Sequence, residues 1–238
     1  MRKQSEAYCE YFKHRNIENG FYSDYILPVY LESVLPTNKD AQVLDIGCGF
    51  GLMLLALKKK GYKRLSGVDI SEDAVRYCAQ LGLNAKKIDN LIDFCASADK
   101  RHDFIIMSHV LEHLEKSTII ETLEYIKKNL MNPEACLVVM VPNAQSNTGC
   151  YWAYEDFTHN TLFTAGSLFF VLKSAGFESV AFLDPDGLTG SRPVIKQLRK
   201  FFLFIYKMNI RFWNIVTNSS FHRPSPQIFT YELKALAK

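Results

Sequence analysis

The chain has 238 residues, a formal net charge of +3, and 48% hydrophobic and 22% charged residues. This length and composition suit one α/β domain with a sizeable core and exclude a disordered chain. The six cysteines form no C-x-x-C pair, which excludes a disulfide scaffold and a zinc ribbon, so we expect reduced thiols in a cytoplasmic protein. The polar start of the chain and the lack of an apolar run of about 18 residues exclude a signal core and a membrane span.

The first forty residues are rich in aromatic side chains. The run from Phe21 to Leu35 has a helical pattern and ends before Pro36. We therefore predict an N-terminal helical cover over residues 1–40. Tyrosines of this cover either contact a bound cofactor or only pack: Tyr8, Tyr11, Tyr22, Tyr25 and Tyr30.

The stretch from Val43 to Gly51 is the strongest signal in the chain. Its apolar residues predict a buried strand, glycines at every second position predict a tight turn, and Leu52 to Lys60 predicts a helix that stops at Gly61. Glycines let a ligand approach the backbone closely, and a helix N-terminus offers free N–H groups. This unit predicts a nucleotide-type cofactor site.

The spacing of these glycines argues against one class of cofactor. Dinucleotide sites use G-x-G-x-x-G, whereas here Gly47, Gly49 and Gly51 alternate and Leu52 follows, which disfavours a nicotinamide-dependent reductase. Asp45 lies two residues before the first glycine, where it can accept from an ammonium group. The pattern D-x-G-x-G-x-G resembles motif I of the S-adenosylmethionine (SAM) dependent methyltransferases. The resemblance implies an α/β fold with a doubly wound, seven-stranded, mostly parallel sheet whose last two strands are antiparallel.

Further cofactor contacts are predicted at the ends of the next strands. Asp69 ends the second strand twenty residues after Gly49, where an acid accepts hydrogen bonds from ribose hydroxyls. Asp89 ends a short third strand, and the resemblance implies contact with the adenine amino group, although a solvated turn acid stays open. The cofactor-binding prediction comprises Asp45, Gly47, Cys48, Gly49, Gly51, Asp69, Ile70, Asp89, Asn90, Ser108 and His109.

The segment DFIIMSHVLEHL, from Asp103 to Leu114, resembles the strand and following turn of many methyltransferases. The resemblance implies that Ser108 and His109 line the cofactor through their position and backbone. His109 and His113 are four residues apart and share a face if the helix starts early. Because a metal site needs a third ligand, the sequence predicts no metal ligands.

An aromatic segment, Tyr151 to Thr164, follows the fifth strand. We call it the lid and predict that it covers the acceptor, because ligands bind at the carboxyl edge of such sheets. His159 is the candidate general base, and Asp156 three residues earlier is its candidate orienting carboxylate. Tyr151, Trp152 and Tyr154 can stack on a sugar or on another ring. The alternative is that His159 only packs or hydrogen-bonds within the lid.

An insertion separates the sixth strand, predicted from Phe177 to Leu183, from the seventh, predicted from Gln227 to Leu236. No acid occurs between Asp186 and Glu232. Seven bases do: Arg192, Lys196, Arg199, Lys200, Lys207, Arg211 and Arg223. Residues 192–216 predict a basic amphipathic helix that binds a membrane surface. Packing on the domain or on a second copy in a homodimer stays open, and the local charge argues against nucleic-acid binding.

The predicted organisation is a cover (1–40), a SAM-binding core (41–184), a basic helical insertion (185–226) and a final core strand (227–238). The pattern D-x-T-H at Asp156 resembles methyltransferases of glycan biosynthesis clusters and also quinone-type O-methyltransferases, and the C-terminal strand resembles methyltransferases of surface-polysaccharide clusters. The resemblance implies O-methylation of a sugar hydroxyl of a surface glycan or its lipid-linked precursor, at the inner face of the membrane. Two alternatives stay open: a quinone-type or other lipophilic O-methyltransferase, and a non-catalytic SAM-fold interaction module.

Overall fold

The structure, a computed structural model, describes residues 25–222 and 225–238. Its centre is one sheet of seven strands: β1 (Gln42–Ile46), β2 (Arg64–Asp69), β3 (Ala85–Lys87), β4 (His102–Ser108), β5 (Met131–Pro142), β6 (Val180–Phe182) and β7 (Glu232–Ala237). The strand order is β3-β2-β1-β4-β5-β7-β6. The first five strands run parallel, while β7 is antiparallel to both of its neighbours. This confirms the predicted fold class, including the antiparallel last pair.

Helices cover both faces of the sheet. They are α1 (Val29–Glu32), α2 (Leu52–Lys59), α3 (Glu72–Gln80), α4 (Leu91–Ala96), α5 (Ile119–Tyr125), α6 (Gly149–Glu155), α7 (Ala165–Ser174) and α8 (Pro193–Val216). Alternate residues of a strand point to opposite faces. Val43 accordingly packs in one core cluster with α2, and Leu44 packs in the other with α5 and α7. Parallel strands buried on both faces explain the continuous apolar runs in the sequence.

One predicted helix differs from the helix observed. Within the described residues, the helix expected from Phe21 to Leu35 is the single turn α1, which Pro28 precedes at the N-cap. Positions 1–24, which include Tyr8, Tyr11 and Tyr22, lie outside the described residues. Helix α5 is followed directly by a π-helical turn, Ile126–Leu130.

Strand β5 contains an irregularity near its start. Its register with β4 shifts between His102 and Phe104, which pair with Met131 and Cys136. Pro133 lies in the extra residues of this shift, where its missing N–H costs no ladder hydrogen bond.

Strand β7 starts five residues later than predicted. The side-chain amide of Asn143 donates to the carbonyls of Ile228 and Thr230, and its backbone N–H donates to the carbonyl of Tyr231. These bonds hold the segment before Glu232 in place of a sheet ladder. Both ends of the insertion therefore meet the sheet beside the carboxyl end of β5.

The insertion contains one long helix, α8, as the sequence predicts. Arg223 lies outside the described residues. Among the helices that are described, none combines the length and the apolar character needed to cross a bilayer.

Candidate functional site

The glycine turn joins β1 to α2 at the carboxyl edge of the sheet. Gly47, Gly49 and Gly51 all have positive φ angles, of 71°, 49° and 79°. A Cβ atom on Gly47 would lie 2.2 Å from Cγ2 of Val110, whereas a Cβ atom on Gly49 would meet nothing within 4 Å. Gly47 is thus required by packing as well as by φ, and Gly49 borders open space where a ligand can approach the backbone.

Asp69 fastens this turn to the end of β2. Its Oδ2 accepts from the N–H of Gly49 at 2.8 Å, and its Oδ1 accepts from the N–H of Ser71 at 2.8 Å. Each carboxylate oxygen has a second lone pair, so both can still accept ribose hydroxyls. The Ser71 side chain caps α3 by accepting from the N–H of Ala74.

Asp45 lies at the end of β1 and is only 2% exposed. Burial, with a smaller contribution from the neighbouring Asp69, raises the pKa of Asp45 to about 8. A bound cation would reverse this shift, because opposite charge favours the ionised carboxylate. Tyr25, from the predicted cover, is close enough to Asp45 for that carboxyl to contribute to a raised Tyr25 pKa of about 12, although burial is the larger cause.

A cavity of about 340 Å³ opens beside the turn. Five predicted cofactor residues line it: Gly47, Asp69, Ile70, Asp89 and Asn90. The Asn90 side chain caps α4 by accepting from the N–H groups of Ile92 and Asp93, so its amide oxygen is already engaged. Asp89 carries an exposed carboxylate that pairs with Lys87 at 3.2 Å. Val110, His113, Leu114 and Thr158 also line the cavity.

The side chain of Cys48 packs away from this cavity. It belongs to a small apolar cluster with Leu54, Cys78 and Leu83. The contribution of Cys48 to a ligand site is thus limited to its backbone. Ser108, at the end of β4, pairs with Met140 of β5 in the sheet.

His109 links three elements that are far apart in the sequence. It adopts a positive φ of 54° directly after β4. Its Nδ1 lies 3.1 Å from Oε1 of Glu112, and its Nε2 lies 2.9 Å from Oε1 of Glu232 at the start of β7. Desolvation alone would lower the pKa of His109, but the hydrogen bonds to the two glutamates raise it to about 10. We call this arrangement the His109 clasp, in which both ring nitrogens donate.

The predicted lid folds back on the turn after β4. The N–H groups of Asn160 and Thr161 donate to the carbonyl of Glu112, and the side-chain amide of Asn160 donates to the carbonyl of His113. These three bonds hold the lid against the edge of the sheet. The predicted acceptor segment therefore adjoins the cofactor cavity.

His159 is buried in this lid, with its side chain 6% exposed. Its Nδ1 lies 2.7 Å from the carbonyl oxygen of Trp152, to which it donates. Asp156 is farther away, with Oδ2 at 3.9 Å from Nε2. The carbonyl of Trp152 is thus the nearer orienting partner, which the sequence did not reveal. Nε2 also lies 3.9 Å from Oε1 of Glu112.

The three predicted stacking residues lie on α6. Tyr151 and Tyr154 are exposed, and the rings of Tyr151 and Trp152 meet edge to face at 5.1 Å. Phe157 follows them and is also exposed. These residues form an aromatic surface in the first half of the lid.

Glu112, His113 and His159 form a cluster that sequence reasoning missed. One ligand atom from each lies within 4.8 Å of the others, which suits a divalent cation. The rings of His113 and His159 are 4.7 Å apart, and burial lowers the pKa of His113, which keeps its ring neutral. Within the part of the chain that the structure describes, Oε2 of buried Glu112 has no hydrogen-bond partner. The sequence signal was the adjacent Glu112-His113 pair, whose third partner is distant.

Known proteins resemble this chain at the level of family and fold. A family model described as a methyltransferase domain matches residues 15–181. A ubiquinone biosynthesis O-methyltransferase of Rickettsia conorii is 30% identical over 96 residues, which is 38% of this chain and 32% of that protein. The alignment thus spans about a third of that relative's length.

Two solved structures share the fold over most of the chain. A SAM-dependent methyltransferase from Archaeoglobus fulgidus is 25% identical, with a TM-score of 0.60 over 84% of this chain and 86% of that one. The complex of DhpI with SAH is 14% identical, with a TM-score of 0.60 over 99% of this chain and 94% of that one.

Proposed function

The chain belongs to the methyltransferase-domain family, and from that premise we propose that it transfers the methyl group of SAM to an acceptor hydroxyl. The acceptor we propose is a sugar hydroxyl of a surface glycan or of its lipid-linked precursor. The observation that carries this proposal is the convergence of the acid-and-glycine turn and the His159 lid at one edge of the sheet. In this proposal the turn binds the cofactor and the lid supplies the base.

The cofactor would be held by groups with distinct chemistry. Asp45 would pair with the ammonium group of the methionine part, and Asp69 with the ribose hydroxyls. Asp89 and the apolar wall of the cavity would bind the adenine. The backbone beside Gly49 would lie against the cofactor without a side chain between them.

The reaction is an in-line displacement at the methyl carbon. The acceptor oxygen forms a bond to that carbon while the carbon–sulfur bond breaks and its electron pair stays on sulfur. The hydroxyl proton goes to Nε2 of His159, whose Nδ1–H is fixed by Trp152. Positioning of this kind contributes about 7–11 kcal/mol, and general-base assistance about 10²–10⁴-fold.

The aromatic surface on α6 supports a sugar acceptor, because aromatic rings offer a flat apolar face to a pyranose. A second candidate is a quinol-type acceptor, which the ubiquinone O-methyltransferase relative favours. A lipid-linked glycan precursor and a lipophilic quinol both reside in the membrane, so we propose that the protein works at its inner face.

The cluster of Glu112, His113 and His159 offers a second way to activate the acceptor. A divalent cation bound there would supply Lewis-acid chemistry to the hydroxyl. The unpartnered Oε2 of Glu112 favours this reading. Turnover measured with a chelator and then with added Mn²⁺ separates it from the base mechanism, which needs no ion.

The test is transfer of tritiated methyl from SAM into an extract of the source cells, followed by partition between butanol and water. Label in a glycan-bearing lipid or polysaccharide supports the sugar acceptor. Label in a small butanol-soluble molecule supports the quinol alternative. No label, together with normal SAH binding, would contradict the proposed activity.

A further inference from the structure

Helix α8 is long and lies on the surface of the domain. Its 24 residues span about 36 Å, and none of them is buried. A helix that contributes nothing fully buried to its own domain gains little stability there, although it carries many large apolar side chains.

One face of α8 contacts the domain. Leu203, Tyr206, Lys207 and Ile210 are half-buried and recur at spacings of three and four residues. Nζ of Lys207 pairs with Oδ1 of Asp186 at 2.9 Å, and the ring of Tyr206 meets that of Phe229 edge to face. These contacts fix which face of the helix points inward.

The opposite face is apolar along the whole helix. Its residues follow one another at spacings of four and three residues, so they form one outward stripe. The stripe consists of Val194, Leu198, Phe201, Ile205, Met208, Phe212 and Ile215, which are between 46% and 75% exposed. We call it the α8 stripe. An exposed apolar face of this extent marks an interaction surface.

Charge distinguishes between the occupants that could cover the α8 stripe. Lys196, Lys200 and Arg211 are exposed and share the polar side of α8 with Lys207, and no acid occurs between Asp186 and Glu232. A second copy packed on the stripe through its own α8 would bring no acid of the insertion to pair these cations. An anionic lipid surface complements the same cations and also accepts the apolar side chains.

The position of the helix agrees with this occupant. The insertion leaves the sheet after Phe182 and returns at Glu232, which is a member of the His109 clasp. Lys234 of β7 lies near Asp184 at the other end of the insertion, with Nζ 3.8 Å from Oδ2. Both ends of the insertion are thus at the edge of the sheet that carries the cofactor turn.

We propose that the α8 stripe docks the protein on an anionic lipid bilayer, with the stripe in the interface and the long side chains of Lys196, Lys200 and Arg211 reaching the headgroups from the polar side of the helix. The helix lies along the bilayer surface and does not cross it. This docking does not depend on the acceptor or on methyl transfer. It brings the carboxyl edge of the sheet close to molecules embedded in the membrane.

The experiment is flotation of the full-length protein with phosphatidylcholine vesicles, with and without phosphatidylglycerol. We expect flotation with the anionic vesicles only. Combined Phe201→Ser and Phe212→Ser substitutions should abolish it, while Phe170→Ser, at an aromatic residue of α7 with similar exposure, should not. Sedimentation of the same proteins without lipid reports the oligomeric state.

The charges are tested separately. Each of these α8 cations replaced by glutamine should lower vesicle affinity about fivefold, so Lys196→Gln, Lys200→Gln and Arg211→Gln together should lower it about a hundredfold. Replacing the exposed Lys86, Lys116 and Lys128 by glutamine changes the net charge equally and should have a far smaller effect.

Absence of flotation, or flotation that the stripe variants retain, would overturn the proposal. A stable dimer that the stripe variants dissociate would instead assign the stripe to a second copy. SAH binding by calorimetry on each variant shows that the fold and the cofactor site are intact. A failure of docking is therefore distinguishable from a failure of the proposed methyl transfer.

Discussion

Binding of the cofactor should release a proton from Asp45. Before the cofactor binds, the pKa of this carboxyl is about 8, so at pH 6 only about 1% of it is ionised and at pH 8 about half. If the ammonium of the cofactor pairs only with the ionised form, affinity should fall about 50-fold from pH 8 to pH 6. The sign is fixed by the raised pKa: binding strengthens as pH rises and levels off above pH 8.

Calorimetry with SAH over this pH range measures the effect directly. Repeating it in buffers of different ionisation enthalpy should give close to one proton released at pH 6. Asp45→Asn provides the control, since it should bind SAH weakly at every pH and release no proton. A wild-type affinity that stays constant from pH 6 to pH 8, with no proton release, would refute the pairing of Asp45 with the ammonium.

The raised pKa of Asp45 also predicts how the stability of the protein without added cofactor changes with pH. Its folded-state pKa lies above its ordinary value of 3.8, so the folded state holds a proton that the unfolded chain releases. Stability should therefore fall as pH rises from about 4 to 8. At pH 8, Asp45→Asn should melt at a higher temperature than the wild type, and equal melting temperatures would contradict the raised pKa.

Three further predictions concern single side chains. Gly49→Ala and Gly61→Ala both place a Cβ atom in open space at a positive φ, so each should lose about 1–2 kcal/mol of stability in thermal melts, but only Gly49→Ala should weaken SAH binding. Asp69→Ala should loosen the turn and the ribose contact together, because each bond to its carboxylate is worth about 1.5–3 kcal/mol; unchanged SAH affinity would contradict this role. His159→Ala should retain SAH binding and lower turnover at least about tenfold, whereas His222→Ala, at an exposed histidine, should not; full turnover of His159→Ala at pH 7 would remove the base assignment.

The parts of the site that the sequence predicts are local. An apolar strand followed by alternating glycines is a sequence pattern with few other interpretations. Asp69 and Asp89 each lie at the end of a strand that the sequence pattern predicts. The lid was also predictable, because its aromatic residues follow the fifth strand. Each of these inferences needs only a few neighbouring residues and the general geometry of parallel sheets.

The parts that the sequence did not predict are contacts over long separations. His109 meets Glu232 across 123 positions, and no periodicity or motif links the two. Asn143 binds the carbonyls of the segment before β7 and keeps that segment out of the sheet. The strand therefore starts at Glu232 and not at Gln227, where it was predicted. Likewise the carbonyl of Trp152, which orients His159, is a backbone group and leaves no trace in the sequence.

The strand order has a consequence for how the chain acquires its site during synthesis. Strand β7 lies between β5 and β6, so β5 ends the parallel sheet and β6 lacks its neighbour until the residues from Glu232 onward have left the ribosome. The His109 clasp also closes only then, since it needs Glu232. The glycine turn and the lid are made much earlier, but the edge that joins them to α8 assembles last. We therefore expect a nascent chain arrested before Glu232 to expose its sheet to chaperones.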